Sequence, residues 1–455
     1  MSGWKETDIG TIPKEWNVAN VDDIKSSEKK AIISGPFGSN ISSKYFVEYG
    51  IPVIRGNNLS IGKEKFIDNG FVYITEEKAK ELGTWALQGD LIFTAAGTLG
   101  QVGIIQENQK FDRYIISNKQ LRLRVDEEKI HPLFAYYWFS SPHITKLIIS
   151  RNTGSTIPLI NLSVLKSLPI PVPQYKEQCN IINIILSLDN KIYLLRRQNA
   201  TLKNLAQTLF KRWFVEFEFP NEAGQPYKSG GGAMVVSDFG EIPAEWGIGK
   251  LGEYLDIKHG FAFRGEFITT KETANILLTP GNFRIGGGFN SSKFKYYDSG
   301  DFPDDYLLLE GDLLVTMTDL SKAGDTLGYP AILPIIQEKQ LLHNQRLGKV
   351  LFVDETVNKY FIYWLMCSRE YRWHILGTAS GSTVKHTSPT RILDFDFVIP
   401  SHKVLRKFST LSQPLFDKLS INFQQLQTLT RLRDTLLPKL MGGKIRVNTD
   451  TRRNT

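Results

Sequence analysis

Cysteine is almost absent from this chain: Cys179 and Cys367 stand alone and far apart in 455 residues. Two distant thiols form neither a disulfide framework nor a cysteine-based metal site, and they fit a reducing compartment. Histidine is scarce as well. His131, His143, His259, His343, His374, His386 and His402 show no close pair on a helix face and no cysteine partner, which argues against a zinc centre. No uncharged apolar run reaches the ~18 residues of a membrane span, and Met1-Ser2-Gly3-Trp4-Lys5-Glu6 lacks the apolar core of a signal peptide. The expectation is an unanchored, cytoplasmic protein.

Catalytic signatures are missing too. No Gly-rich loop leads into Lys-Ser or Lys-Thr, which removes the simplest ATP site. There is no Gly-x-Ser-x-Gly elbow, no Asn/Asp-Pro-Pro-aromatic motif of amino-methyltransferases and no Gly-rich cofactor loop. Asp68, Glu76 and Lys78 mimic the acidic-acidic-lysine pattern of nucleases. They equally make an ordinary charged first helical turn, and that reading is the stronger. No catalytic residue and no metal ligand is assigned. The formal net charge of +8 is compatible with nucleic acid without establishing it.

What the chain does have is a repeat. Asp8-Ile9-Gly10-Thr11-Ile12-Pro13-Lys14-Glu15-Trp16 returns as Asp238-Phe239-Gly240-Glu241-Ile242-Pro243-Ala244-Glu245-Trp246. In the same order Gly56-Asn57 is echoed by Gly281-Asn282, Gly89-Asp90-Leu91-Ile92-Phe93-Thr94 by Gly311-Asp312-Leu313-Leu314-Val315-Thr316, Asn118-Lys119-Gln120-Leu121 by Asn344-Gln345-Arg346-Leu347, and Gly154-Ser155-Thr156 by Gly381-Ser382-Thr383. Ile170-Pro171 and Ile399-Pro400 each precede a long helical pattern.

In the first pattern Ile181, Ile185, Leu188, Ile192, Leu195, Asn199, Leu202, Ala206, Leu209 and Trp213 alternate steps of four and three. That spacing keeps one seam toward a partner helix. Leu415, Leu419, Asn422, Leu426, Leu429, Leu436 and Leu440 repeat it. The chain reads globule, helix, globule, helix. Expected divisions are a first globule at 1–172, a helix at 173–218, a flexible Gly/Pro-rich linker at 219–237, a second globule at 238–400, a second helix at 401–445 and a disordered tail at 446–455. Within the second helix, Pro414 should break the pattern and leave Ser412 as a new N-cap.

Short branched and aromatic segments, Ile51–Ile54, Leu91–Thr94, Gln120–Val125, Asp312–Thr316 and Arg346–Val353, read as strands between turns. A capped short helix begins after Thr75 and ends at Gly83, and longer ones cover Pro132–Ile149 and Val357–Leu376. The fold class is therefore α+β: two tandem globules joined by two long helices. Connectivity favours an antiparallel intramolecular coiled coil, because a parallel pair would force the linker back along a whole helix. The seam should match Asn199 with Asn422, where two buried amides satisfy each other, Ile192 with Leu429 and Leu202 with Leu419; Ile185 lies on the same seam.

Polar loops recur in both globules. Ser34, Phe37, Ser39, Asn40, Arg55, Asn57, Asn58, Thr94, Thr98, Asn118, Lys119, Ser155 and Thr156 are candidate contacts in the first. In the second they are His259, Asn282, Arg284, Thr318, Lys322, Asn344, Arg346, Ser382, Lys385 and His386. Cations would mostly hold phosphates, whereas Asn, Thr and His could discriminate base edges. Asn, Gly and Ser are also plain turn formers. The second globule inserts Met317-Thr318-Asp319-Leu320-Ser321-Lys322-Ala323 after its Thr316, as expected of two modules with a shared frame and different targets.

The Ile-Pro-x-Glu-Trp openings, the Gly-Asp-Leu strands, the Gly-Ser-Thr turns, Ala206-Gln207-Thr208-Leu209-Phe210-Lys211-Arg212-Trp213-Phe214 and Arg433-Asp434-Thr435-Leu436-Leu437-Pro438-Lys439-Leu440-Met441 together resemble the specificity subunit of type I restriction-modification systems, over essentially the whole chain. The resemblance implies a DNA-binding subunit without catalysis of its own. Each globule would be a target recognition domain reading one half of a bipartite, asymmetric sequence in double-stranded DNA, and the helices would set the gap. Two methyltransferase subunits and the restriction-translocase subunits would be its partners, carrying S-adenosylmethionine, ATP and Mg. A single-chain methyltransferase or nuclease, and a protein-binding scaffold, remain the alternatives.

Overall fold

The computed structural model describes residues 3–61, 64–354 and 356–447. It divides into two compact units, Met1–Lys191 with Leu429–Thr455, and Ile192–Thr428. Each holds one globule and a stretch of both long helices.

The seam residues do form long helices, Tyr175–Phe210 and His402–Met441. A π-helical turn, Lys211–Val215, prolongs the first and carries buried Trp213. In the first unit Asp189 pairs with Arg433 at 3.3 Å and Glu177 with Arg446 at 2.8 Å. Numbers fall along one helix as they rise along the other, so the pairing is antiparallel. In the second unit Asn422 Nδ2 donates to Asn199 Oδ1 at 2.7 Å, and the Phe210 and Phe408 rings lie 6.2 Å apart. The direction is the same. An amide in an apolar seam needs partners to offset lost hydration, but the expected exchange is one-sided: Asn422 Nδ2 donates to Asn199 Oδ1 and to Gln198 Oε1 at 2.9 Å, while the buried Asn422 Oδ1 has no partner among the described residues. Ile185 and Ile192 are buried, while Leu202, Leu419 and Leu429 are half-buried.

Pro414 does not end the second helix. It sits on the exposed face, and its neighbours Leu405, Phe408, Leu415 and Phe416 are anchored in the second unit's core. The carbonyl that loses its intrahelical bond can reach water, so packing outweighs the local penalty. Ser412 is accordingly a buried mid-helix residue and not a cap.

In the first unit one sheet orders Val72–Ile74, Ile51–Ile54, Arg113–Ile116 and Trp85–Leu87, and a second orders Ile32–Ser34, Gln120–Leu123, Leu91–Thr94 and Val102–Ile104. The second unit repeats the plan: Leu255–His259, Leu347–Phe352, Leu313–Thr316 and Pro330–Ile332 form one sheet, and Asn275–Leu278 and Gln340–His343 run parallel in the other. Each globule opens with a hairpin, Trp4–Thr7 with Gly10–Pro13 and Met234–Ser237 with Gly240–Pro243. Ile12 and Trp16, like Ile242 and Trp246, are buried beneath these hairpins, which explains the repeated opening motif.

The expected helix at Pro132–Ile149 is two, Pro132–Phe139 and Pro142–Ser150, because the Ser141 hydroxyl caps Ile144 and Pro142 suits a first turn. Ser368 divides Lys359–Leu365 from Arg369–Thr378 in the same way. The short helix Glu76–Leu82 has its Thr75 cap and left-handed Gly83, as its sequence dictates.

The stretch at 219–237 is no slack linker. Phe219 is buried, stacking on Trp246 at 5.1 Å and on Tyr227 at 4.5 Å, and Met234–Ser237 is a paired strand. Its glycines and prolines make turns, and the aromatics between them hold the segment down. Of the tail at 446–455, Arg446 and Val447 are packed on the first unit; the rest lies outside the described residues.

Candidate nucleic-acid interface

Glycine lets the candidate loops meet. A Cβ on Gly35 would lie 1.8 Å from the Ser117 carbonyl oxygen, and one on Gly260 would lie 2.2 Å from that of Asn344. No side chain fits either place, so the loop after the first strand of each sheet presses against the turn before its partner strand. Gly35 N–H donates to Gln120 O at 2.9 Å, and Gly260 N–H to Leu347 O at 3.3 Å.

The remaining loops are stitched on by backbone. Ala95 N–H donates to Lys119 O at 2.7 Å, Ile160 N–H to Ala95 O at 2.8 Å and Gly97 N–H to Pro158 O at 3.0 Å. In the second unit Met317 N–H donates to Arg346 O at 2.9 Å and Thr387 N–H to Met317 O at 3.0 Å, while Thr318–Asp319 pairs with Lys385–His386. Each globule therefore gathers four loops into one polar ridge.

The first ridge exposes Ser34, Ser39, Asn40, Thr98, Asn118, Lys119, Ser155 and Thr156, with Phe37 85 % exposed among them. The second exposes His259, Lys322, Arg346, Ser382 and His386, with Lys385 half-buried. Other candidates turn inward. Asn58 is 0 % exposed: its Oδ1 accepts from Arg55 N–H at 2.9 Å, and its Nδ2 donates to Ile67 O at 3.0 Å and Asn69 O at 2.8 Å. Asn282 does the same with Thr279 N–H at 2.8 Å, Asn290 O at 3.1 Å and Lys293 O at 3.3 Å.

These two amides close short 3₁₀ turns and cannot also read a base. Thr94 and Thr318 are buried, and the Asn344 Oδ1 is taken by Arg346 N–H at 3.0 Å. Arg55 is half-buried beside the Asn58 turn, and exposed Asn57 donates to Gly70 O at 3.1 Å. Arg284 belongs to a different surface, in the turn whose Gly286 and Gly287 carbonyls receive Lys203 Nζ of the long helix at 3.2 and 3.0 Å.

Residues 13–204 match the model of the type I restriction modification DNA specificity domain. The chain is 28 % identical to the type I restriction enzyme MjaIX specificity subunit of Methanocaldococcus jannaschii, over 98 % of this chain and 96 % of that one. It is 23 % identical to the HindI specificity subunit of Haemophilus influenzae, over 92 % of this chain and all of that one. Over nearly its whole length the chain is therefore similar to type I restriction enzyme specificity subunits. The S subunit of the type I system of M. genitalium shares the fold, with a TM-score of 0.58 at 16 % identity over 96 % of this chain and 97 % of that one.

Within this chain the repeat is offset by one residue from the sequence match. Gln120 pairs with Thr94 where Leu347 pairs with Thr316. Lys119 and Arg346 thus hold the same place, and Ser117 corresponds to Asn344. Asn58, not Asn57, is the partner of Asn282 for the same reason: both stand third in their 3₁₀ turns.

The inserted loop of the second ridge is braced by residues that local sequence did not mark. The buried Asp319 carboxylate accepts from Ser321 N–H and the Thr326 hydroxyl, each at 2.7 Å, and the Arg372 guanidinium donates to Leu327 O and Gly324 O. Burial pushes the Asp319 carboxyl up, but the Ser321 and Thr326 donors hold it below its ordinary value. Arg372 could not be found by local pattern, since its partners lie far back in the chain. Asp68, Glu76 and Lys78 do not converge. Asp68 accepts from Tyr114 Oη at 3.0 Å, Glu76 from Arg113 at 3.0 Å, and Lys78 pairs with Glu81 at 2.7 Å.

His343, beneath the second ridge, makes a pH prediction. Burial pushes its imidazole down to about 4, while Nε2 faces Leu347 O at 2.9 Å. A histidine with a depressed folded pKa loses stability as pH falls below its unfolded value, so about 3 kcal/mol should go between about pH 6.5 and 4. Urea titrations across that window should show the loss, and His343→Gln should reduce it; a flat wild-type profile would refute the burial.

Proposed function

We propose that this specificity subunit is a non-catalytic DNA reader whose two ridges each recognise one half of a bipartite, asymmetric target in double-stranded DNA. The observation that supports this most is a shared frame carrying unlike groups. Lys119 and Arg346 occupy one position, a cation suited to phosphate or to a guanine edge. Two places beyond the matched Gly35 and Gly260, the first ridge has exposed Phe37 and the second Ala262. The second ridge also carries the braced insertion with Lys322.

The relatives' names describe specificity subunits of type I restriction enzymes. By extension, the long helices would space the readers and receive two methyltransferase subunits, with restriction-translocase subunits joining the complex. S-adenosylmethionine, ATP and Mg would then belong to those partners, and the assembly would work in the cytoplasm. From Ile181 to Trp213 the helix rises by roughly 50 Å, about one and a half turns of duplex.

Replacing residues 1–170 by the first globule of another family member, in the assembled complex, tests this. Mapping of methylated DNA should show one half of the motif changed and the other kept. Change in both halves would refute modular reading, and methylation by the purified chain alone would refute the non-catalytic role.

A further inference from the structure

The helical junctions of the two units use opposite chemistry at matching positions. Val172 pairs with Asn17 and Ile399 with Gly247, each next to the buried tryptophan of its unit. Counting forward from Val172 and Ile399 matches Glu177 with Val404, Asp189 with Phe416, Ala206 with Arg433 and Phe219 with Arg446; Thr208-Leu209 then falls on Thr435-Leu436.

In the first unit the junction is ionic. Asp189 Oδ2 receives Lys65 Nζ at 2.8 Å and Tyr137 Oη at 2.6 Å, and Oδ1 receives Arg433 at 3.3 Å. Glu177, buried, receives Trp16 Nε1 at 2.9 Å and Arg446 Nε at 2.8 Å. In the second unit the matching places are apolar. Phe416 and Ala206 share one core, with the Tyr363 ring 5.2 Å from that of Phe416. Val404 and Phe219 belong to that core as well.

We propose that these eight residues form a pairing code that admits only unlike halves of the chain. The half before the glycine turn at 230–232 is completed by the half after it, and not by a second copy of itself. Were two first halves to pair, Asp189 would face Ala206 and Glu177 would face Phe219. Two carboxylates would lose their arginines, and small opposite small would leave a hole. Were two second halves to pair, Phe416 would face Arg433, large against large, and Arg446 would face Val404 in place of buried Glu177, keeping only exposed Glu245, the match of its second partner Glu15. Rejection of the wrong partner is built in by these mismatches. The consequence is that each pairing joins a half carrying the first ridge to one carrying the second, whatever the ridges bind.

A protease site inserted at Gly230-Gly231, an exposed turn, lets the folded full chain be cut into its halves. Two cut preparations, one mass-tagged on the first half, are mixed, taken into enough urea that tags exchange, returned to buffer and read by native mass spectrometry. Unlike pairs should dominate, with like pairs below about a tenth, whereas indiscriminate pairing gives about half. Like pairs near half would overturn the code. A second preparation carries Glu177→Val, Asp189→Phe, Arg433→Ala and Arg446→Phe, which gives the first unit the chemistry of the second. Like pairs should then rise toward half; a refolded variant that still pairs only unlike halves would also overturn it. If that variant does not refold, the unmodified halves decide alone.

Discussion

Replacing Asp189 by alanine should destabilise the first unit by about 3–5 kcal/mol, the range for removing one member of a buried ionic cluster. The carboxylate joins Lys65, Tyr137 and Arg433, and the three charged side chains are only 15–17 % exposed. Its loss leaves Lys65 without its counter-charge, Arg433 with Asp434 alone at 2.7 Å, and a phenol without its acceptor. Burial alone pushes the Asp189 carboxyl up, yet Lys65, Tyr137 and Arg433 bring it below its ordinary value. A depressed folded pKa means the contribution is complete above the unfolded carboxyl value of about 4 and disappears as pH falls through the folded one. Urea unfolding at neutral pH should therefore separate wild type from variant widely, and the gap should narrow in acid. An unchanged midpoint at neutral pH would show that the cluster contributes nothing net.

Asn58→Ala should lower stability by about 3 kcal/mol or more, since it strands one buried N–H and two carbonyls at once. Asn57→Ala, one residue away, removes one exposed hydrogen bond to Gly70 O and should change stability by less than about 1 kcal/mol. Thermal unfolding of both variants separates the roles: if Asn58→Ala melts like wild type but weakens DNA binding by the complete complex, the amide is a reader after all. Asn282→Ala should follow Asn58→Ala, because the two amides close the same turn.

Much of the fold was legible because its signals are local and repeated. A four-three seam survives one interrupting proline, and a threonine cap with a left-handed glycine defines a helix wherever it occurs. The site was legible only as a set of loops. Polar residues in turns have two uses, and sequence does not say which: Asn118 and Lys119 face solvent, while Asn344 and Asn58 spend their amides on backbone. The linker was misjudged because Gly and Pro report turns, whereas the stacking of Phe219 on Trp246 is a contact between separate segments.

The sequence alone determined the duplicated globule-helix plan, the helical seam with Asn199 and Asn422, and the likeness to type I specificity subunits. These depend on spacing and order, which are properties of the chain itself. Only the tertiary structure decided which polar residues reach a ridge, that the repeat is offset by one at Lys119 and Arg346, and that one helical junction is ionic and the other aromatic. Those outcomes depend on which atoms are buried and what faces them. Burial converts the same amide or carboxylate from a solvated group into one that must find a partner.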